Sequence, residues 1–400
     1  MKTLGVELDD SNQLGTLMRE NTQTATMENL SSDIIQEIFT RLPIKSVLQC
    51  RKVCRFWRYL LGKPKTGMLF ADFPKYYSLV DLYYGEPPWE IVNFNPNEAS
   101  EYFNKIVTQL SNVDTKFYSF RLIGSCNGLV CYKACDPNFG HVMYIFNPIT
   151  GERIRVQDMS VDEYFQCVGF GYCHSTDEYK VVRIRYLENG KDCIQVYTLG
   201  DGNGWRDIKE IDYTSYMFQG FGVFANGALH WLDERSNFDI VAFNLTDGIL
   251  RSLPSPPCHI PVGSYYNINL GSLGGNLYLC LRYIKRGEHM TDIWVFKKRN
   301  MNNCRRGTRI NERTCFNSFT WIKVFSRKWE SSLTQKCQLL SLSKSEILLW
   351  KNGSLMSCDP KDKTSKIIWY VEGPRPEVQL IPHMNSLVSL KDLGEELVDC

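Results

Sequence analysis

Cysteine and histidine are the side chains here best suited to chemistry, and the chain places several of them close together. Cys126, Cys131 and Cys135 precede His141, at spacings of five, four and six residues. Thiolates and imidazoles in a row suggest zinc, but zinc sites favour ligand pairs roughly two to four residues apart on tight turns. Only some of these gaps fit, and residues 129–132 read as a strand, so these thiols are expected to be small buried core residues. His230 and Trp231, followed by Asp233 and Glu234, look like an acid–base cluster. In the repeated segments described below, the matching position is held by strand residues such as Cys131 and Tyr278, which predicts a strand role for His230. Cys173 and His174 stand side by side in "GYCHSTDEY", and chain neighbours seldom point at each other. No nucleophile, base and orienting group come together, and the glycines form no phosphate loop. No catalytic residue, metal or cofactor is expected.

One charged stretch stands apart. "KKRNMNNCRRGTRINERTC", residues 297–315, sets seven cations against Glu312 alone. A solvated insertion between two strands is the first expectation; an acidic partner surface, a nuclear import signal or weak nucleic-acid contact are the functional ones. Over the whole chain the charges nearly cancel, to a formal +2, so no chain-wide field points to nucleic acid or a membrane surface. The opening "MKTLGVELDDSNQLGTLMRE" lacks a basic-then-apolar layout, so no signal peptide is expected. No apolar run approaches the roughly 20 residues that span a bilayer. The expectation is a soluble intracellular protein, cytoplasmic and/or nuclear, whose 15 cysteines are reduced thiols.

The elements that hold these residues are of two kinds. Residues 1–27 are polar and expected to be disordered. "NLSSDIIQEIFTRLP", residues 29–43, then carries a clean helical period. Leu30, Ile34, Ile35, Ile38, Phe39 and Leu42 fill one continuous half of a helix, wider than a usual core-facing stripe. Ser31 or Ser32 can cap its start, and Pro43 cannot continue it. A second helix is predicted from Ser46, with Val47, Cys50, Cys54, Trp57 and Leu61 at spacings of three and four. Some 35 helical residues are too few to stabilise themselves, so the wide apolar face predicts a partner surface.

Beyond "GKPKTG" the pattern changes to short β-branched and aromatic runs broken by Gly, Asn, Asp and Pro. These runs repeat. "CNGLVCY", "ANGALHWL", "GGNLYLCL" and "KSEILLW" each put a turn before an apolar strand, and Asn-Gly favours the positive φ of tight hairpins. "YIFNPITGERIRV", "VAFNLTDGILRSL" and "LMSCDPKDKTSKIIW" supply a second hairpin after each. Repeats of roughly 45 to 55 residues, each worth about four strands, predict a mainly β chain folded as a kelch-like β-propeller. Five blades are recognisable between about 120 and 375. A sixth is expected to combine residues 68–120 with a closing strand "NSLVSL" at 385, and a seventh is left open.

"LSSDIIQEIFTRLPIKSVLQCRKVCRFWRYLL" resembles an F-box. "GSCNGLVCY", "FNPITGE", "GFGYCHSTDEYKVVRI" and "NGALHWL" resemble the F-box-associated interaction domain of plant F-box proteins, including S-locus F-box relatives. The resemblance implies a non-catalytic substrate receptor of an SCF-type ubiquitin ligase. Its F-box (28–62) would dock on a Skp-type adaptor and so on a cullin scaffold. A linker and partial blade (63–120) would lead to the propeller (121–392) and a tail (393–400), and the propeller would capture a protein substrate not readable from the sequence. Carried over by position, the adaptor-facing residues are Leu30, Ile34, Ile38, Leu42, Pro43, Leu48, Val53, Cys54 and Trp57. One departure stands out: the family's Leu-Pro at the first helix start is Leu30-Ser31 here. Serine caps where proline pre-sets φ, so the helix still starts, and adaptor affinity is the quantity put in question. The rival functions are a non-degradative propeller scaffold and a propeller enzyme.

Overall fold

The computed structural model describes residues 30–61, 66–72, 80–85, 108–113, 119–136, 140–156, 167–186, 191–212, 218–233, 239–258, 266–298, 319–329, 337–342, 346–351, 354–359, 364–370 and 379–398. The segment 1–27 expected to be disordered, Glu234 and the basic stretch from 299 to 315 lie outside the described residues. The chain divides into two compact units, Met1–Lys63 and Pro64–Cys400.

The first unit holds α1 (Ser32–Thr40), α2 (Ile44–Val53) and α3 (Arg55–Leu60). The single helix expected from Ser46 to Leu61 is therefore two, and it begins earlier. Cys54 breaks it: its backbone is extended, at φ −152° and ψ 169°. Its Sγ then accepts from the Trp57 amide at 3.4 Å and starts the next helix.

The second unit is built from strands. β1 (Gly67–Asp72), β2 (Val80–Gly85) and β3 (Thr108–Val113) come first. β4 (Phe120–Cys126), β5 (Leu129–Asp136), β6 (Gly140–Phe146) and β7 (Arg153–Val156) follow. Next are β8 (Cys167–Cys173), β9 (Glu178–Tyr186), β10 (Lys191–Thr198) and β11 (Trp205–Asp212). β12 (Phe218–Ala225), β13 (Ala228–Asp233), β14 (Ile240–Asn244) and β15 (Leu250–Leu253) repeat the pattern. So do β16 (Tyr266–Leu273), β17 (Asn276–Lys285), β18 (Glu288–Lys298) and β19 (Phe319–Trp329). The last are β20 (Cys337–Leu342), β21 (Ile347–Lys351), β22 (Ser354–Cys358), β23 (Ser365–Tyr370) and β24 (Gln379–His383). Among the described residues they form antiparallel four-stranded sheets in chain order, the third and fourth joined by a short parallel contact of β8 with β12. This is the curled succession of sheets of a β-propeller.

The turns follow the expected chemistry. Asn127 and Gly128 both take positive φ, 44° and 89°, which matches the right-handed twist of β4 and β5. At the β8–β12 contact, Gly169 faces Gly222. A Cβ on Gly222 would stand 2.5 Å from the Trp231 ring, so bare backbone there lets a fully buried indole fill the seam.

The closing strand is not "NSLVSL". β24, which lies just before it in the chain, pairs with β1 in the register Leu69↔Ile381 and completes the first sheet. Its proline hid it from the sequence pattern. Pro382 is tolerated because β24 is the end strand of its sheet, where a missing N–H breaks no second ladder. The last and first sheets also meet: Gln338 Nε2 donates to the Leu380 carbonyl at 3.0 Å, and the Phe70 and Trp350 rings sit edge-on at 6.3 Å.

Residues 385–398 form a strap over the second and third sheets. Asn147 Nδ2 donates to the Ser386 and Val388 carbonyls at 3.1 and 2.7 Å. Ser389 Oγ and the Leu390 amide donate to the two Glu152 carboxylate oxygens. Glu395 accepts from Tyr197 OH and the Gly200 amide, and the Val398 amide donates to the Arg153 carbonyl. Leu390 is fully buried in the core of these sheets. Asn147 and Glu152 of "FNPITGE" thus hold the C-terminal segment.

Two measurements check this arrangement. Glu152→Ala removes the carboxylate that takes donors from the strap, and should lower unfolding stability by about 2 kcal/mol in a denaturant titration. The second concerns acid. Burial pushes both His230 and His383 down to about 4 from 6.5. The unfolded chain binds their protons first, so their stabilisation is complete above pH 6.5 and is lost as pH falls from 6.5 to 4. Each should contribute about 3 kcal/mol to that loss. His383→Gln should flatten the slope of stability against pH in this window; an unchanged slope would refute its neutral burial.

Candidate functional site

Helix α1 has two apolar faces rather than one wide one. Ile35 and Phe39 are buried, at 0% and 3% exposure, and the Phe39 ring meets Trp57 edge-on at 5.2 Å. Ile34, one position before Ile35, is 51% exposed. With Asp33, Glu37, Ile38 and Arg41 it lines a shallow depression on the outer side. The Glu37–Arg41 ion pair at 2.7 Å frames that depression, but both side chains are mostly exposed, so it adds little stability.

The capping chemistry explains how the departure at Ser31 is accommodated. Ser31 has φ −63° and ψ 150°, its side chain accepts from the Ile34 amide at 3.4 Å, and its carbonyl accepts from Ile35. Pro43 does the equivalent by geometry, standing at φ −55° just before α2.

The nine residues named from sequence divide by position. Ile34 and Val53 are exposed, the latter at 65%. Leu30, Ile38, Leu42 and Trp57 are half-buried, and Pro43 and Cys54 are exposed helix starts. Leu48 is buried at 7% and lies behind the surface rather than on it. Two exposed aromatics were missed: Phe56, at 47%, and Tyr59, at 83%. The break at Cys54 resets the helical phase, so a single wheel from Ser46 misplaces them. Their one sequence signal was aromatic character off the expected apolar stripe.

The residues that suggested chemistry serve packing. Cys126 and Cys131 lie in one buried cluster, and burial pushes both thiols up. Cys135 and His141 are cross-strand partners at the far end of β5. Among the described residues no group of three His, Cys, Asp or Glu could hold a metal ion. His230 is fully buried, its Nδ1 3.1 Å from the Val223 carbonyl, while Trp231 points to the opposite side of β13 into another core cluster. Cys173 and His174 diverge. The His174 ring lies on Tyr172 at 4.8 Å, whereas Cys173 Sγ lies 3.2 Å from Ser175 Oγ and 3.5 Å from Thr246 Oγ1. Burial pushes that thiol up, but hydrogen bonds from Ser175, Thr176 and Thr246 outweigh it and hold it at about 6. The exposed apolar side chains of the helices, Ile34, Val53, Phe56 and Tyr59, with the depression that Ile34 and Ile38 line, therefore remain the candidate site, and what they can do is bind.

Comparison with known proteins agrees with both units. A family model described as the F-box associated beta propeller domain matches residues 88–305, and one described as the F-box domain matches residues 27–67. The chain is 28% identical to F-box protein At3g07870 of Arabidopsis thaliana, over 68% of this chain and 70% of that protein. It is 25% identical to F-box/kelch-repeat protein At3g23880 of the same plant, over 68% of this chain and 76% of that one. A solved prolyl endopeptidase structure aligns with a TM-score of 0.37 at 13% identity, covering 92% of this chain and 49% of its own, a likeness that carries no argument. With more than half of its length matched by one family model, over a closed succession of four-stranded sheets that follows a capped helical unit in the chain, the protein belongs to the F-box associated beta propeller domain family.

Proposed function

We propose that this protein is the substrate-recognition subunit of an SCF-type ubiquitin ligase, acting in the cytoplasm and/or nucleus. The observation that carries this reading is the set of exposed apolar side chains on the helices. Ile34, Val53, Phe56 and Tyr59 remain exposed although the same short unit has already buried Ile35, Phe39 and Leu48. Exposed aliphatic and aromatic side chains grouped on one small unit mark a protein-binding surface. The F-box match supports a Skp-type adaptor as the partner class, and a cullin scaffold behind that adaptor is part of the same proposal.

The nine sequence-derived residues then divide by role. Ile34, Ile38 and Val53, joined by Phe56 and Tyr59, touch the adaptor, with Leu30 and Leu42 at the margins. Leu48 and Trp57 support the surface from behind, and Pro43 and Cys54 set where α2 and α3 begin. The propeller holds a protein substrate near the ubiquitin-conjugating enzyme, and this chain performs no bond chemistry itself.

Position determines how the variants should behave. Ile34→Asp puts a charge on the exposed face, so the fold should survive while adaptor binding weakens about 30-fold, a loss of some 2 kcal/mol. Leu48→Ala instead empties a buried site and should cost about 2 to 5 kcal/mol of helical stability. Calorimetric titration with a purified Skp-type adaptor, beside circular dichroism melts, separates the two. Undiminished binding by a folded Ile34→Asp protein would overturn the assignment of the surface. No binding by the unmodified chain would favour a scaffold outside the ligase.

A further inference from the structure

We propose, resting on the substrate-receptor reading, that the turn at residues 244–249 of the fourth sheet is a peptide-binding site that takes an extended, apolar segment of the substrate protein. The second sheet holds the strap by a turn built in the same way. There Asn147 Oδ1 accepts from the Ile149 and Thr150 amides at 2.8 and 3.4 Å, and its backbone bonds Gly151 and Glu152. Asn244 Oδ1 accepts from the Thr246 and Asp247 amides at 2.8 and 3.4 Å, and its backbone bonds Gly248 and Ile249. Gly151 and Gly248 both take positive φ, 79° and 66°. Two amides on Oδ1 fix the side-chain flip, so Nδ2 of each asparagine faces away from its own turn. Asp359 holds the matching position in the last sheet, where a carboxylate has no N–H to offer.

Occupancy separates the two turns. Asn147 Nδ2 donates to the Ser386 and Val388 carbonyls, which are two residues apart, as on one side of an extended chain. Among the described residues Asn244 Nδ2 has no acceptor. The neighbouring hairpin turns repeat the contrast. Ser386 Oγ donates to the Asn127 carbonyl at 3.0 Å, and a Cβ on Gly128 would overlap that hydroxyl. Gly227 is the counterpart of Gly128 in the fourth sheet, and a Cβ there would meet nothing within 4 Å. The Leu245 amide donates to the Gly227 carbonyl at 3.3 Å, so the two turns of the fourth sheet lie side by side. The fourth sheet thus offers the amide donor and the bare backbone that seat the strap on the second, with no described segment lying on them.

Side chains decide which segment fits. On the second sheet Glu152 takes the Ser389 hydroxyl and the Leu390 amide. Ile249 stands at that position in the fourth, 47% exposed, and Ile208, 41% exposed, has its Cγ2 3.5 Å from where a Gly248 Cβ would lie. Asp247 is paired with Arg251 at 2.6 Å, so their charges offset each other. A ligand with an apolar side chain here buries it on the isoleucines, whereas a charged one would lose water and gain no partner. Main-chain carbonyls for affinity and one apolar contact for selection suit a linear segment better than a folded surface.

The probe is a library of random peptides displayed on phage and selected on the immobilised full chain. Enriched peptides should carry a large aliphatic or aromatic residue and bind the purified chain in a fluorescence titration. Asn244→Asp keeps the oxygen that caps the turn and removes the Nδ2 donor, so it should weaken these peptides about tenfold. Ile249→Lys, an exposed replacement, should weaken them as well and decides the matter if Asn244→Asp does not fold. Asn147→Asp strips the same donor from the strap and should lower the melting temperature, whereas Asn244→Asp should leave it unchanged. Peptides that bind both variants as tightly as the unmodified chain would overturn the site, as would a selection that enriches none. An equal drop in melting temperature for Asn244→Asp would overturn it too, since Nδ2 would then have a partner within the chain. A dimer that Asn244→Asp dissolves in sedimentation would give the turn to a second copy instead. No adaptor takes part in the titration, so a failed peptide result leaves adaptor binding standing, and failed adaptor binding leaves the peptide site standing.

Discussion

Closure of the sheet succession is the constraint on which the rest depends. β1, β2 and β3 come from the start of the strand-rich unit and β24 from its end, so the first sheet is incomplete until the whole unit has folded. A four-stranded sheet of this size cannot bury both faces alone and must lean on its neighbours. Bringing the ends together costs little more for a long loop than for a short one, because that entropy grows only with the logarithm of length. The local bonds then decide. Gln379, the first residue of β24, accepts from the Leu122 amide and donates to the Phe120 carbonyl, at 2.7 and 2.8 Å, which ties the closing strand to the next sheet as well. Ser125 Oγ and His383 Nδ1 meet at 2.8 Å along the same seam. The strap continues this stitching over the second and third sheets, so closure is held by side chains from three sheets rather than by one ladder.

The helical unit solves a different problem. A short helix normally spends all its apolar residues on one contact, yet α1 carries enough for two. Adjacent isoleucines show how: Ile34 and Ile35 are about 100° apart on the wheel, and the structure leaves the first half-exposed and buries the second completely. Ser31, Pro43 and Cys54 matter because they fix the phase of each helix. A cap moved by one residue would rotate the exposed set away from its surface.

Much of this was legible in the sequence, for identifiable reasons. Asn127-Gly128 and Asn226-Gly227 take the positive φ values their types favour, so the hairpins could be placed. The apolar period of residues 30–42 is strong enough to show its helix directly. What escaped has a physical cause in each case. β24 contains a proline and lies at a sheet end, where strand patterning is weakest. "NSLVSL" has strand-like alternation, but its backbone is held by Asn147 and Glu152, far away in the chain, contacts with no local signal. Phe56 and Tyr59 were lost because one extended residue, Cys54, resets a helical phase that a continuous wheel assumes.

The residues that most invited a chemical reading show how burial changes side-chain character. His230 and His383 are held neutral by their surroundings, and Cys131 is made a poor thiolate in the same way. In such places an imidazole or thiol is a compact packing piece with one or two directional bonds, and its nominal reactivity is suppressed by the cost of charging it away from water. Two thiols depart from this: despite burial, hydrogen bonds from Ser175, Thr176 and Thr246 hold Cys173 at about 6, and Cys337 at the seam between β17 and β20 also lies below its ordinary value. Beside Cys337, Arg282 and Lys351 are almost completely buried, at 1% and 8% exposure. Buried cations are costly unless something nearby carries negative charge, and both of these draw the Cys337 thiol toward its charged form. Burial works against the Cys337 thiolate as it does against the others; its Cys280 neighbour, Arg282 and Lys351 outweigh it and hold the thiol below its ordinary value.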